Sequence, residues 1–130
     1  IGMRLFTNQK KIISMRNILL LAVFILFTSC VQKTYKKTVV FTVDVSAVKN
    51  VKKVGIRGND KPLSWEYDTE MKAIKKDSLY QITITGETGY TFTEVKFVVN
   101  DTFELQNQDN RKILFSEKDT TFYTAKFNKQ

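Results

Sequence analysis

Apolar and polar residues alternate along most of the chain between residues 38 and 130, and few segments there show the 3.6-residue period of a helix. Val39, Phe41, Val43 and Val45 form the first such series. Because successive side chains of a strand point to opposite faces, each series predicts a strand with one buried face. Turn residues separate the series about every ten residues, which predicts an all-β fold, an antiparallel β-sandwich of about seven to eight strands. The other predicted strands cover residues 51–57, 79–85, 91–100, 103–106, 113–115 and 121–127, and the polar segment 72–78 is predicted to be a turn.

The loop after the second predicted strand contains the only proline of the chain, and the only tryptophan follows it directly. The sequence Gly58-Asn59-Asp60 and the following Pro62 end the strand. Trp65 then stands where a tryptophan is either a core anchor or a flat platform for a ring-shaped ligand. The local sequence alone favours the core.

Histidine is absent from the chain, and Cys30 is the only cysteine. A disulfide within the chain is therefore impossible, and a cysteine-based metal site lacks further thiolates. Without histidine, the usual proton shuttle near neutral pH and the Ser-His and Cys-His nucleophile pairs are excluded. We therefore expect a non-catalytic protein without a cofactor.

Three carboxylates are the remaining candidates for catalysis or for a calcium site. Glu66, Asp68 and Glu70 fall on one side of an extended segment. Lysines lie nearby in the sequence, and no Asp-rich calcium loop surrounds the three residues. Neither an enzyme nor a metal site is expected from this group.

The net charge of +8 is a signal for nucleic-acid binding only if it is concentrated in one part of the domain. Residues 1–29 contain Arg4, Lys10, Lys11 and Arg16 and no acidic residue, so they carry half of the net charge. In the rest of the chain, basic and acidic residues are mixed. Nucleic acid is therefore not expected as a partner.

The segment before the β-rich region has the order of charged and apolar residues found in a secretory signal peptide. Arg16 follows Met15, and the apolar run 18–27 comes next. That run is too short for a transmembrane helix, which needs about 20 apolar residues. Small residues then precede Cys30, and this arrangement resembles the lipobox of bacterial lipoproteins, in which the cysteine is lipidated and becomes the mature N-terminus.

The lipoprotein resemblance implies that residues 1–29 are a signal peptide, with 1–14 as an extension upstream of Met15. Residues 30–37 are then the lipidated cysteine and a polar, basic tether. The acyl chains on Cys30 hold the protein in a lipid bilayer of the bacterial cell envelope, expected at the periplasmic side of the outer membrane. Two alternatives stay open: an ordinary thiol at this position, and an uncleaved N-terminal anchor.

Seven short motifs follow one another along the predicted sandwich: 39–44 (VVFTVD), 54–58 (VGIRG), 62–65 (PLSW), 79–82 (LYQI), 95–99 (VKFVV), 103–104 (FE) and 110–111 (NR). In this order they resemble the starch-binding domains of carbohydrate-binding module family 20, which have an immunoglobulin-like sandwich fold. The resemblance implies binding of α-glucans by stacking of sugar rings on two exposed tryptophans. The apolar face of a pyranose packs on the aromatic ring, while its hydroxyls need polar partners.

The resemblance places three residues of this chain in a sugar site by direct match. Trp65 matches the first tryptophan of the family, Lys96 matches the lysine of its aromatic-Lys-Phe strand, and Asn110 matches the asparagine next to an arginine. Plainer interpretations exist for two of them, because Lys96 suits a solvated strand face and Asn110 suits a turn.

The second tryptophan of the family has no direct counterpart. If the loop is two residues longer here, Phe103 and Glu104 stand for that tryptophan and the glutamate after it. An ungapped match puts Leu105 there instead. Phe103 is then a further stacking ring or a cap on the core, and Glu104 is a partner for sugar hydroxyls.

Two functions follow from the sequence. The first is a membrane-anchored, non-catalytic module that binds α-glucan or a related oligosaccharide through Trp65, Lys96, Phe103, Glu104 and Asn110. The second is an envelope lipoprotein that binds a neighbouring protein and has a degenerate sugar site.

Overall fold

The computed structural model of the protein describes Asn17, Ile18 and residues 33–130. The predicted signal peptide and the lipidated Cys30 therefore lie outside the described residues, apart from that one dipeptide. Residues 34–130 form one compact unit. Its strands are β1 (Tyr35–Asp44), β2 (Val54–Gly58), β3 (Thr69–Glu70), β4 (Lys72–Lys75), β5 (Leu79–Thr88), β6 (Phe92–Val99), β7 (Thr102–Phe103), β8 (Arg111–Leu114) and β9 (Thr120–Lys126). No helix of the described part is long and apolar enough to span a membrane.

The strands form two sheets, and the predicted all-β sandwich is confirmed. Sheet A has the order β4-β5-β1-β9, and sheet B has the order β3-β2-β6-β7, with β8 also paired to β6. All pairs are antiparallel except β1 and β9, which run parallel. The first and last strands of the described domain are therefore neighbours.

The buried faces of the two sheets meet in one apolar core. In β1, Val39, Phe41 and Val43 are at most 4% exposed, as the alternation predicts. The Phe41 ring meets the Phe97 ring of β6 edge to face, with centroids 6.3 Å apart. Each such buried side chain contributes about 1.5–3 kcal/mol. The rest of the buried core consists of Val45, Val54, Ile56, Leu63, Met71, Tyr80, Val95, Val99 and Ile113.

Three predicted elements differ from the structure, for physical reasons that the alternation cannot reveal. The strand predicted at 103–106 is shortened to β7, because Leu105 has a φ of 48°, in the left-handed region. The segment 72–78, predicted as a turn, contains strand β4, whose four residues are all exposed. Its backbone pairs with β5 and its side chains bury nothing, so no period-two signal exists. The strand predicted from residue 51 begins only at Val54, because the Asn100 side chain accepts the backbone N–H groups of Lys52 (2.8 Å) and Lys53 (3.1 Å).

The first half of the loop between β2 and β3 is held against the sandwich. Leu63 is buried in the core at 5% exposure. The carbonyl oxygen of Lys61 lies so close to Gly86 of β5 that a Cβ at this glycine would collide with it. These contacts fix the start of the segment that carries Trp65.

Candidate functional site

Trp65 lies at the surface, and the core position that the local sequence favours for it is wrong. The side chain is half-buried and is not part of the buried core. Its indole Nε1 donates a hydrogen bond to Asn59 Oδ1 at 2.5 Å, and Asn59 Nδ2 donates to Glu94 Oε2 at 3.4 Å. The ring is therefore oriented by its own loop and by strand β6.

Arg57 of β2 fixes the backbone of Trp65 from the other side. Its Nη1 donates to the carbonyl oxygen of Trp65 at 2.7 Å, and its Nε donates to Asp68 Oδ1 at 2.5 Å. The guanidinium lies 4.9 Å from the centroid of the Phe103 ring, which is a cation–π distance. One arginine thus connects the loop, β2 and β7. It belongs to the motif 54–58, but the resemblance to the sugar-binding family gives it no role in the site.

Lys96 is the cross-strand neighbour of Arg57 in sheet B. Its Nζ donates to the carbonyl oxygens of Leu105 at 3.1 Å and Gln108 at 3.0 Å. An ammonium group has three donors, so one remains for another partner. Lys96 therefore stabilises the loop before β8 and keeps one donor available.

Phe103 and Asn110 belong to the same region of sheet B. Phe103 is half-buried and pairs with Val98 of β6. Val98 is two residues from Lys96, so the side chains of Phe103, Val98 and Lys96 lie on the same face of sheet B. Asn110 is exposed and directly precedes β8, whose pairing with β6 starts next to Lys96. We call the surface formed by Arg57, Trp65, Glu94, Lys96 and Phe103 the sheet B face.

Glu104 cannot contact a sugar, and this predicted role is wrong. The residue is 0% exposed. Its carboxylate accepts hydrogen bonds from Arg111 Nε (2.7 Å) and Nη2 (2.8 Å), and from the backbone N–H groups of Phe97 (2.9 Å) and Asn128 (3.0 Å). These four bonds occupy the acceptor sites of a carboxylate. Leu105, the alternative counterpart of the second tryptophan, is 1% exposed and equally inaccessible.

The buried ion pair of Glu104 and Arg111 shifts the titration of the arginine. Burial acts to lower the pKa of Arg111, but hydrogen bonds to Glu104 and Tyr123 and the charge of Glu104 outweigh it. The pKa of Arg111 is therefore raised above its usual value, and the guanidinium stays charged throughout the physiological range.

The three carboxylates near Trp65 do not form a cluster that suggests a metal site. Asp68 is paired with Arg57 and is only partly exposed. In the part of the chain that the structure describes, no group of three or more His, Cys, Asp or Glu residues is arranged to hold a metal ion.

Comparison with known proteins does not assign a family. No protein-family model matches the chain. No curated protein matches it either. The fold and the sheet B face are therefore the basis for a functional proposal.

The arrangement around Arg57 leads to a testable expectation. Replacing Arg57 with lysine keeps the charge but loses the planar fork that reaches Trp65 and Asp68 together. We expect the free energy of unfolding to fall by about 1 kcal/mol and the Trp65 ring to become more accessible. Since Trp65 is the only tryptophan, red-shifted emission and faster acrylamide quenching report this directly. Lys112→Arg, at an exposed position of β8, is the control, and unchanged quenching in Arg57→Lys contradicts the positioning role.

Proposed function

We propose that the protein is a lipid-anchored, non-catalytic carbohydrate-binding module that binds α-glucan or a related neutral oligosaccharide on the sheet B face. One observation carries the proposal. Trp65 is partly exposed, its indole is held by Asn59 and its backbone by Arg57 of the same sheet that carries Lys96 and Phe103. An indole fixed by one hydrogen bond, on a backbone fixed by a second, loses little conformational entropy when it binds a ligand.

The polar groups beside the ring suit a sugar better than a charged ligand. Both signs of charge occur on the sheet B face, where Arg57 is neutralised by Asp68, and Glu94 lies near Lys96 on the same strand face. Glu94 has only the long contact with Asn59, so its carboxylate retains acceptor sites for hydroxyl groups. We therefore propose Glu94 in place of the buried Glu104.

The expected affinity is low. One partly exposed indole contributes on the order of 1 kcal/mol beyond its area, and Phe103 is partly covered by Arg57. A dissociation constant between roughly 0.1 and 10 mM follows for a short maltooligosaccharide. This range allows retention on a multivalent glucan and rapid release of single sugars.

The proposal predicts that Trp65→Ala abolishes measurable glucan binding. The variant removes the stacking ring and exposes no core residue, so the fold should persist. Tyr35→Ala is the matched control, because Tyr35 is 56% exposed and lies on β1 of sheet A. Electrophoresis through a glucan-containing gel and calorimetry with maltoheptaose measure the effect. Wild-type protein that is folded and shows no binding at 10 mM sugar refutes the carbohydrate proposal, as does equal loss in the control.

A second candidate function is the docking of an envelope protein. The observation in its favour is that neither counterpart of the family's second tryptophan offers a fully available ring, since Phe103 is half-buried and Leu105 is in the interior. Large exposed apolar side chains occur elsewhere in residues 33–130, namely Tyr35, Tyr67, Ile74, Tyr90, Leu114 and Phe122. A stable partner recovered from detergent-solubilised envelope, together with no glucan retention, favours this function.

A further inference from the structure

Strand β9 forms one edge of sheet A, and within residues 33–130 part of its backbone has no partner strand. Among the strands of that part of the chain, its only neighbour is β1. The parallel register and the bonds Thr38 N to Asp119 O (3.0 Å) and Phe127 N to Asp44 O (2.9 Å) show that the odd-numbered residues of β9 face β1. The N–H and C=O groups of Thr120, Phe122 and Thr124 therefore point away from the sheet.

The two edges of sheet A differ in their protection against pairing with another strand. At the β4 edge, Lys72 and Lys75 are exposed and the pairing to β5 has a β-bulge, which are two devices that discourage edge-to-edge contact. The β9 edge has no charged side chain from Thr120 to Ala125. Phe122 in its centre is 78% exposed. An uncharged edge strand of this length with an exposed aromatic ring is a template for a further strand.

We propose that β9 pairs with β9 of a second copy of this chain, in antiparallel orientation about a two-fold axis. The two four-stranded sheets then form one continuous sheet. A two-fold axis at Tyr123 places Phe122 opposite Thr124 of the second copy and Thr120 opposite Lys126. In this register, side chains that face solvent on one copy stand opposite side chains that face solvent on the other. The two Phe122 rings become diagonal neighbours, within reach of each other.

A second copy suits this edge because an identical strand is uncharged over the same length. In the register centred on Tyr123, no two like charges of the strands stand opposite each other. Lys126 lies at the end of the pairing, where its carbonyl oxygen is already bonded to Arg111 Nη2 at 2.9 Å. That bond limits the free edge to the uncharged segment. The proposal involves sheet A and is independent of the sheet B face.

The oligomeric state of the full chain in detergent tests the proposal. Light scattering over a concentration series is expected to show a monomer–dimer equilibrium, with the backbone amides of Phe122 and Thr124 exchanging more slowly as the dimer forms. Phe122→Lys removes the ring and brings two ammonium groups together diagonally, so we expect at least a tenfold weaker association. Thr83→Lys puts the same charge on the same face of sheet A, but on β5 away from the edge, and should leave the association unchanged.

Three results overturn the β9 pairing. The first is a monomer at every concentration, which is also the result expected if this edge binds a strand of a different protein. The second is a dimer in which the amides of Phe122 and Thr124 exchange as fast as in the monomer. The third is equal association of Phe122→Lys and wild-type protein.

Discussion

Replacing Arg111 with methionine is expected to lower the free energy of unfolding by about 3–5 kcal/mol, because it leaves the Glu104 carboxylate buried without its counter-charge. Glu104 is 0% exposed and Arg111 is 8% exposed, so water cannot replace the lost partner. The same guanidinium donates to the carbonyl oxygens of Lys126 at 2.9 Å and Lys129 at 2.6 Å. Its loss therefore also frees the end of β9. Urea denaturation followed by Trp65 fluorescence measures the change.

Two further variants separate the buried charge from the loss of packing. Lys118→Met makes the same kind of substitution at an exposed position between β8 and β9, and should change the stability by no more than about 0.5 kcal/mol. The double variant Arg111→Met with Glu104→Leu removes both charges and should recover much of the loss. A double variant less stable than Arg111→Met alone contradicts the explanation by an unpaired charge.

The stability contribution of Arg111 should not depend on pH in the usual experimental range. A raised pKa in the folded state means that the stabilisation is fully present below the unfolded-state pKa of arginine. It is lost only as the pH rises through the folded-state value, above the ordinary range of arginine. The difference in stability between wild type and the double variant Arg111→Met with Glu104→Leu, which has neither charge, should therefore stay constant on the alkaline side of neutrality.

Cys30→Ser is expected to move the protein from the membrane fraction to the soluble fraction while the sandwich stays folded. Cys30 lies five positions before Tyr35, where β1, the first strand of the described domain, begins. Under the proposed lipidation, the substitution removes the acyl chains, each worth roughly 0.8 kcal/mol per buried methylene. The basic residues of the tether replace only about 1 kcal/mol per lysine at an anionic surface. Fractionation and the intact mass of the mature protein measure the result.

The control for the anchor is Lys36→Gln, which weakens the tether and leaves the cysteine in place. This variant should remain with the membrane. The competing explanation is an uncleaved N-terminal anchor, under which the serine variant stays membrane-bound at full length. A mature mass that still includes residues 15–29 contradicts the lipoprotein proposal.

The strands could be predicted from the sequence where one of their faces is buried. Val39, Phe41 and Val43 show this in β1, because burial selects apolar residues at every second position. Strand β4 has no buried face, so its four residues carry no such signal. Its backbone bonds to β5 stabilise it without any preference for side-chain type.

The candidate site could be predicted only in part, because its contacts connect distant segments. Lys96 and Phe103 do lie on one sheet face, as the order of motifs implies. Glu104 follows a turn and precedes a polar loop, so it looks solvated; only the folded chain brings Arg111 and the N–H of Asn128 to its carboxylate. Arg57 lies between two buried residues of β2, so its outward direction could be predicted. Its hydrogen bond to Trp65 could not, because the acceptor is a backbone carbonyl oxygen, which every residue has.

The parallel pairing of β1 with β9 has a consequence for the order in which the domain assembles. Contacts between strands so distant in sequence require closure of a loop of most of the domain, and such non-local topologies fold slowly, in milliseconds to seconds. Until residues 120–126 have been synthesised, the backbone groups of Thr38, Val40 and Thr42 that face β9 have no partner on this edge of β1. A chain truncated before β9 therefore exposes this edge permanently, as a template for pairing with other strands.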